Sequence, residues 1–213
     1  MVTAVVFDVG ETLLDDSREW AAWADWIGVP RHTFSTVLGA VTVSGRDNAE
    51  TFQYFRPGFD VAHERLLRED AGLGERIEDQ DLYPDVRSSL AALQNLGLRV
   101  GVAGNQTARA AELLRALALP TDFVSTSGEW GVAKPSEIFF ERVVEAAAVH
   151  AEQIVYVGDH RDNDIVAAKA AGLRTALIRR GPWGYLWADD PLVKRDADWV
   201  INSLNELPAL LTS

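Results

Sequence analysis

Asp8, Lys134, Asp159 and Asp164 are the residues of this 213-residue chain whose types and placement suit chemistry. Asp8 follows the β-branched apolar run Val2 to Phe7 and precedes Gly10, Glu11 and Thr12. Lys134 lies in Gly131-Val132-Ala133-Lys134-Pro135, just before a helical pattern. Asp159 and Asp164 belong to Gly158-Asp159-His160-Arg161-Asp162-Asn163-Asp164, directly after the run Gln153 to Val157. Gly104-Asn105-Gln106-Thr107 ends a further run. Taken alone, Asp8 also suits a turn that bonds its own backbone. If the runs are parallel strands, all four stretches share the carboxyl edge of a sheet, where ligands of open α/β sheets bind. Acids gathered there repel one another unless something positive sits among them. Hard oxygen ligands with room for water suit Mg2+ and a bound phosphate. A lysine supplies a point charge that balances an aspartate and a phosphoryl group. With these parts the natural reaction is phosphoryl transfer to a carboxylate nucleophile.

The elements that must position these residues follow from the pattern. Asp15, Asp16 and Ser17 offer caps for a helix through Ile27, which Gly28 and Pro30 end. Trp20, Trp23 and Trp26 fall on one side of it, a packing face before it is an aromatic wall over a substrate. Between residues 30 and 81 the patterns are helical, over 31–41 and 59–71, with Arg46, Arg56 and Arg65 as candidate anion-holding cations. From Pro84 onward strand and helix alternate. The expected helices are 84–96, 107–117, 136–149, 162–171 and 204–211, and the expected strands are 98–103, 123–126, 153–157, 174–178 and 198–201. This alternation predicts an α/β fold, a Rossmann-like parallel sheet with helices on both faces. The core is expected over 1–14 and 83–213, with an all-helical insertion over 15–82.

Composition narrows the classes. Hydrophobic residues make up 47% and charged residues 24% of the chain, as in a soluble protein with a real core. A net charge of −12 argues against nucleic acid or an anionic membrane as partner. It leaves room for a local cationic pocket and a small phosphate-bearing substrate. There is no cysteine, hence no disulfide and no thiolate chemistry. No apolar run approaches a membrane span and no leader precedes the first strand, so a cytoplasmic protein is expected. A monomer and a homodimer suit the chain equally.

The order of the four stretches resembles the haloacid dehalogenase superfamily of hydrolases with a helical cap of the first type. Phe7-Asp8-x-Gly10-x-Thr12-Leu13 is similar to its first motif, and Val102-Ala103-Gly104-Asn105 to its second. Gly131-x-x-Lys134-Pro135 is similar to the third and Gly158-Asp159-x-x-x-Asn163-Asp164 to the fourth. The resemblance implies that Asp8 is the nucleophile and that Lys134 neutralises it and the substrate anion. It implies a Mg2+ held by Asp8, Asp159 and the backbone carbonyl of Gly10. Asp164 would orient Lys134 or a metal-bound water. Thr12, Asn105 and Gln106, with neighbouring amides, would hold the transferring group.

Two positions depart from the family. Its phosphatases carry an acid–base aspartate where this chain has Gly10, and a Ser or Thr where it has Gly104. Glycine moves no proton, and losing a general acid costs about 10²–10⁴ in rate. Glu11 is the replacement candidate, and the Thr107 hydroxyl a candidate for reaching the second position. Relatives that cleave phosphonates need a cap lysine, and residues 15–82 contain none. The expected function is therefore Mg2+-dependent hydrolysis of a small phosphorylated metabolite through Asp8, with altered acid–base catalysis. A metal-free dehalogenase-like hydrolase and a catalytically weak ligand- or partner-binding member are the alternatives. His160 could contact a phosphate, though a lone loop histidine is more often incidental. Trp183 could border the site or pack against the last strand.

Overall fold

β1 (Ala4–Phe7), β2 (Arg99–Gly104), β3 (Phe123–Thr126), β4 (Ile154–Gly158), β5 (Arg174–Ile178) and β6 (Trp199–Ile201) form one sheet in the computed structural model, which describes residues 1–212. Ser213, the end of the expected core segment, lies outside the described residues. The strand order is β3-β2-β1-β4-β5-β6 and every neighbouring pair is parallel. β1 and β4 are buried at every residue, because helices cover both faces of a parallel sheet and leave no solvated side. Tyr156 of β4 packs edge-on against Phe140 of the helix Glu137–Ala147. The helices Val86–Asn95 and Leu207–Thr212 pack together, as do Glu137–Ala147 and Ala167–Ala170. The order runs outward in both directions from the β1–β4 pair. Right-handed crossovers then put the helices of the two directions on opposite faces and open a crevice at that pair's carboxyl ends. Register places Phe7 beside Val102 and Val157, so Asp8 and Asp159 follow at the same edge.

The chain divides into two units, Met1–Asp15 with Glu78–Ser213, and Asp16–Ile77. Within the first, the two connecting segments are tied to each other: Asp15 N donates to Asp81 O at 2.8 Å and Tyr83 N to Leu13 O at 3.0 Å.

Several expected elements are altered locally. The stretch expected as one helix over 162–171 begins as a π-helical turn, Arg161–Val166, and continues as the α-helix Ala167–Ala170. Two helices that periodicity missed, Gly181–Trp187 and Pro191–Asp196, follow β5; each is under two turns long and Pro-initiated, too short for a hydrophobic period to show. The last helix starts as a 3₁₀ turn, Leu204–Glu206, capped by Ser203. Among the described residues no helix is long and apolar enough to cross a membrane.

The second unit consists of the helices Ser17–Ile27, Arg31–Val43, Thr51–Phe55 and Val61–Asp70, with a 3₁₀ turn at Asn48–Glu50. Gly28 ends the first in a left-handed conformation, as its position predicts. The unit is filled by aromatic rings. Phe52 stacks on Phe59 at 4.6 Å, and Trp23 meets Phe52 edge-on at 5.0 Å. Trp23 is buried, and Trp20 and Trp26 pack at the edge of the same cluster. Packing is thus what this indole row does within the unit. Leu66 and Leu67 are exposed, and the helix that carries them buries Arg68 instead. That guanidinium lies 4.1 Å over the Trp23 ring and bonds Glu19 at 2.8 Å, which is how a charge is tolerated there. Trp23→Ala should cost this unit about 3–5 kcal/mol, read as a lowered midpoint of its urea transition.

Candidate active site

Lys134 is the centre of the site. Its ammonium donates to Asp8 Oδ1 at 2.6 Å and to Asp164 Oδ1 at 2.6 Å. All three side chains are buried. The face of Tyr156 lies 5.3 Å from the ammonium, and the Tyr156 hydroxyl is anchored on Ala103 O at 2.6 Å. An aromatic face under a desolvated cation adds attraction. Nothing in the strand pattern marked Tyr156 as part of the site.

Asn105 takes a different position from the expected one. Its side-chain amide bonds the Lys134 main chain at both ends, donating to O at 3.0 Å and accepting from N at 2.8 Å. It fixes the loop that aims the lysine, and its side chain is already occupied on that task. Gln106 gives its carbonyl to Gly128 N and Ser127 Oγ. The Thr107 hydroxyl caps the helix Ala108–Ala116 by accepting from Ala110 N at 2.9 Å. Gly104 has a steric reason. A Cβ there would lie 2.5 Å from Asp8 Oδ1, so any side chain would displace the carboxylate.

Asp8, Asp159 and Asp164 lie close enough that one oxygen of each falls within 4.8 Å of the others. Three carboxylates against one ammonium leave two negative charges, the charge of one divalent cation. Asp164 is the least available of the three, since its second oxygen accepts from His160 N at 2.9 Å. Asp159 Oδ2 is buried and has no hydrogen-bond partner. A buried, unpartnered carboxylate oxygen is costly unless a cation or proton meets it. The donor set, all hard oxygen, fits a metal such as Mg2+. Thr12 Oγ1 is likewise buried without a partner.

Burial sets the electrostatics. It pushes the Asp8 carboxyl up to about 6, against the pull of Lys134. It pushes Asp159 well above the carboxylate range, with Asp164, Asp8 and Glu11 adding to the rise. For Lys134 burial opposes the charge, but Asp164 and Asp8 outweigh it and hold the ammonium's pKa well above its usual value. His160 is a structural residue. Its Nδ1 accepts from Asp162 N and Asn163 N, both at 3.2 Å, its ring packs against Trp183 and Trp187, and burial pushes it down to about 4. Trp183 packs in the cluster of Ile165, Leu177 and Trp187.

Glu11 is held as tightly as the acids. It is 8% exposed and sits at φ 53°, the left-handed region that disfavours a non-glycine residue by about 1–3 kcal/mol. Tyr83 donates its hydroxyl to Glu11 Oε2 at 2.6 Å. Burial and that bond raise the Tyr83 pKa far above its usual value, so the proton stays on tyrosine. Gly181 has φ 56°, and a Cβ there would lie 2.5 Å from Glu11 Cβ. Arg180 donates to Thr12 O at 2.7 Å, lies 4.3 Å over the Tyr83 ring, and pairs with Asp85. Arg180 and Gly181 belong to the stretch 179–184 after β5, a candidate border of the site from its place at a strand end; Tyr83 lies far from it in the chain and matches no local pattern.

Two outcomes follow. Lys134→Met leaves buried carboxylates without their counter-charge and should destabilise the protein by about 3–5 kcal/mol in chemical unfolding at neutral pH. In metal-free protein, the raised Asp8 pKa means that the folded state binds a proton the unfolded state releases. Its contribution to stability is full below about pH 4 and is lost as pH rises through about 6. A divalent cation competes with that proton. Mg2+ should therefore raise the melting temperature more at pH 7.5 than at pH 5, by calorimetry.

The family model of haloacid dehalogenase-like hydrolases matches residues 2–172. The chain is 33% identical over 136 residues to haloacid dehalogenase-like hydrolase domain-containing protein 3 of Danio rerio, covering 63% of this chain and 54% of that protein. It thus spans about half the length of that relative. It is 29% identical over 228 residues to phosphoglycolate phosphatase of Neisseria meningitidis, covering 97% of this chain and 92% of that one. A Bacillus subtilis protein described as a HAD-hydrolase and bound to magnesium shares the fold, with a TM-score of 0.73 and 20% identity over 100% of this chain and 99% of that one. The matched span contains Asp8, Lys134, Asp159 and Asp164, and the chain belongs to the haloacid dehalogenase-like hydrolases.

Proposed function

We propose that the protein is a Mg2+-dependent hydrolase of small phosphorylated metabolites that works through a phosphorylated Asp8. The observation that carries this reading is the Lys134 ammonium bridging Asp8 and Asp164 beside the unpartnered Asp159 oxygen. A relative along nearly the whole chain is named a phosphoglycolate phosphatase, which supports a small phosphate monoester as substrate. Asp8, Asp159 and the Gly10 carbonyl would hold the Mg2+. The cation, when bound, neutralises charge on the phosphoryl oxygens and keeps Asp8 ionised.

The other groups belong to the chain itself. Asp8 attacks phosphorus with the oxygen that Lys134 does not hold. Lys134 keeps the nucleophile oriented and balances the incoming dianion, as positioned donors do in phosphoryl transfer. The Thr12 hydroxyl donates to a phosphoryl oxygen, which satisfies a buried group that is otherwise orphaned. Glu11 protonates the leaving alkoxide and then takes a proton from the water that hydrolyses the aspartyl-phosphate. Its support is the effort with which the fold retains a buried glutamate in an unfavourable backbone region. Substrate choice is assigned to the helical unit Asp16–Ile77. The unpartnered Asp159 oxygen speaks against the metal-free dehalogenase reading.

Turnover of p-nitrophenyl phosphate and a panel of sugar phosphates with Mg2+ tests the reading. Asp8→Asn should lose roughly 10³-fold or more; equal rates for wild type and Asp8→Asn on every phosphate would remove it. Glu11→Gln should lower kcat by about 10²–10⁴, and Tyr83→Phe by less. In a Gly10→Asp background, which restores the usual acid, both losses should shrink. Undiminished losses there would mean that Glu11 only shapes the loop. No turnover with or without Gly10→Asp would favour the binding-protein reading.

A further inference from the structure

Arg180 is a buried cation outside the acid cluster. It is 8% exposed and follows β5 closely. A guanidinium is expensive to bury unless its donors and its charge are met. Here three groups meet it. Nη1 donates to Thr12 O at 2.7 Å, Nη2 pairs with Asp85 Oδ2, and the guanidinium lies 4.3 Å over the Tyr83 ring.

One side of this arrangement is anchored. Asp85 Oδ2 also accepts from Ser203 Oγ at 2.6 Å and from Leu204 N at 3.0 Å, just beyond β6. Asp85 immediately precedes the helix Val86–Asn95, so two elements hold its carboxylate in place. The other side bears on the loop after β1. Thr12 is fully buried and follows Glu11 directly, so a fixed Thr12 carbonyl limits how the Glu11 backbone can move. Tyr83 donates its hydroxyl to Glu11 Oε2 at 2.6 Å, and a cation over the ring restrains that ring. Gly181 lies against the Glu11 stem, where a Cβ would come within 2.5 Å of Glu11 Cβ and Cγ. Residues 180 and 181 therefore bear on Glu11 at its backbone, at its stem and, through Tyr83, at its carboxylate.

These contacts call for arginine. A planar fork reaches a carbonyl and a carboxylate in one rigid geometry while its face packs on an aromatic ring, and a lysine ammonium has neither the fork nor the face. What is held is also costly to hold. Glu11 sits at φ 53°, and a strained backbone persists only where its surroundings over-determine it. Precision matters to a proton donor, because a misplacement of about 1 Å costs on the order of 10² in rate.

We propose that Arg180 is a positioning residue of the reaction, which fixes Glu11 through Thr12 and Tyr83 so that its proton meets the leaving oxygen. This rests on the reading of Glu11 as the proton donor. The consequence is selective. When the bond from phosphorus to a sugar oxygen breaks, the alkoxide takes the Glu11 proton. p-Nitrophenolate leaves as a stable anion and needs none. A loosened Glu11 slows sugar phosphates more than p-nitrophenyl phosphate, whereas a loosened fold slows both alike.

kcat/KM of the full-length protein with Mg2+ reads this difference, because it reports the steps up to departure of the alcohol. The two substrates are p-nitrophenyl phosphate and the sugar phosphate that wild type turns over fastest. Arg180→Lys should lower the sugar phosphate value about tenfold more than the aryl value, with an unchanged circular dichroism spectrum. In a Glu11→Gln background the same substitution should add no such difference. Should Arg180→Lys not fold, Arg180→Met with Asp85→Asn removes both buried charges together and takes its place. Equal losses on the two esters, a difference that persists in Glu11→Gln, or turnover confined to the aryl ester would overturn the proposal and leave the Asp8 reading standing. Turnover that Asp8→Asn leaves unchanged, or no turnover at all, removes both.

Discussion

A lysine ammonium buried between two aspartates is the constraint around which the catalytic unit is built. Desolvating one ammonium and two carboxylates is expensive, and their mutual attraction offsets it only when the geometry is tight. Much of the surrounding structure serves that geometry. Asn105 clamps the Lys134 main chain from both sides. Tyr156 lies under the ammonium, and its hydroxyl is itself tied to Ala103 of the second strand. Gly104 leaves Asp8 the room a side chain would take. The first, second and fourth strands are in register, so these groups meet at one edge without a long loop to order.

The triad is not electrically complete. A third aspartate, Asp159, has a buried oxygen with no hydrogen-bond partner among the described residues, and burial raises the pKa of both Asp8 and Asp159. The site is therefore poised for a cation. Metal affinity and protonation are opposite solutions to the same desolvation problem. With the proposed Mg2+, the stability of the catalytic unit would depend on pH and on the cation through the same atoms.

Around Glu11 a second network ties parts of the catalytic unit that are distant in sequence. Tyr83 lies on the segment that returns from the helical insertion, Arg180 and Gly181 follow the fifth strand, and Ser203 and Leu204 bond Asp85, the partner of Arg180. A glutamate held at positive φ would ordinarily be replaced by glycine, which has no Cβ penalty there. Here the start of the helix Gly181–Trp187 supplies the glycine instead, at 181, and leaves the space that the Glu11 side chain fills.

The alternation of β-branched runs with amphipathic stretches was enough to read the α/β class, the helical insertion and the strands Phe123–Thr126 and Arg174–Ile178 to the residue. Each of those signals is local: a period of two or 3.6 residues and the glycines and prolines that interrupt it. The four chemical stretches were legible for the same reason, since each sits where a hydrophobic run stops. The tertiary structure decided what no local pattern encodes. It made the Asn105 side chain a clamp on Lys134, the Thr107 hydroxyl a helix cap, and His160 a buried brace. It also recruited Tyr156, Tyr83 and Arg180. A side chain's hydrogen-bond partners depend on which distant segment the sheet order brings alongside it. Sequence determined which residues could do chemistry here; the β3-β2-β1-β4-β5-β6 packing decided which of them face the crevice and which are held in service of the others.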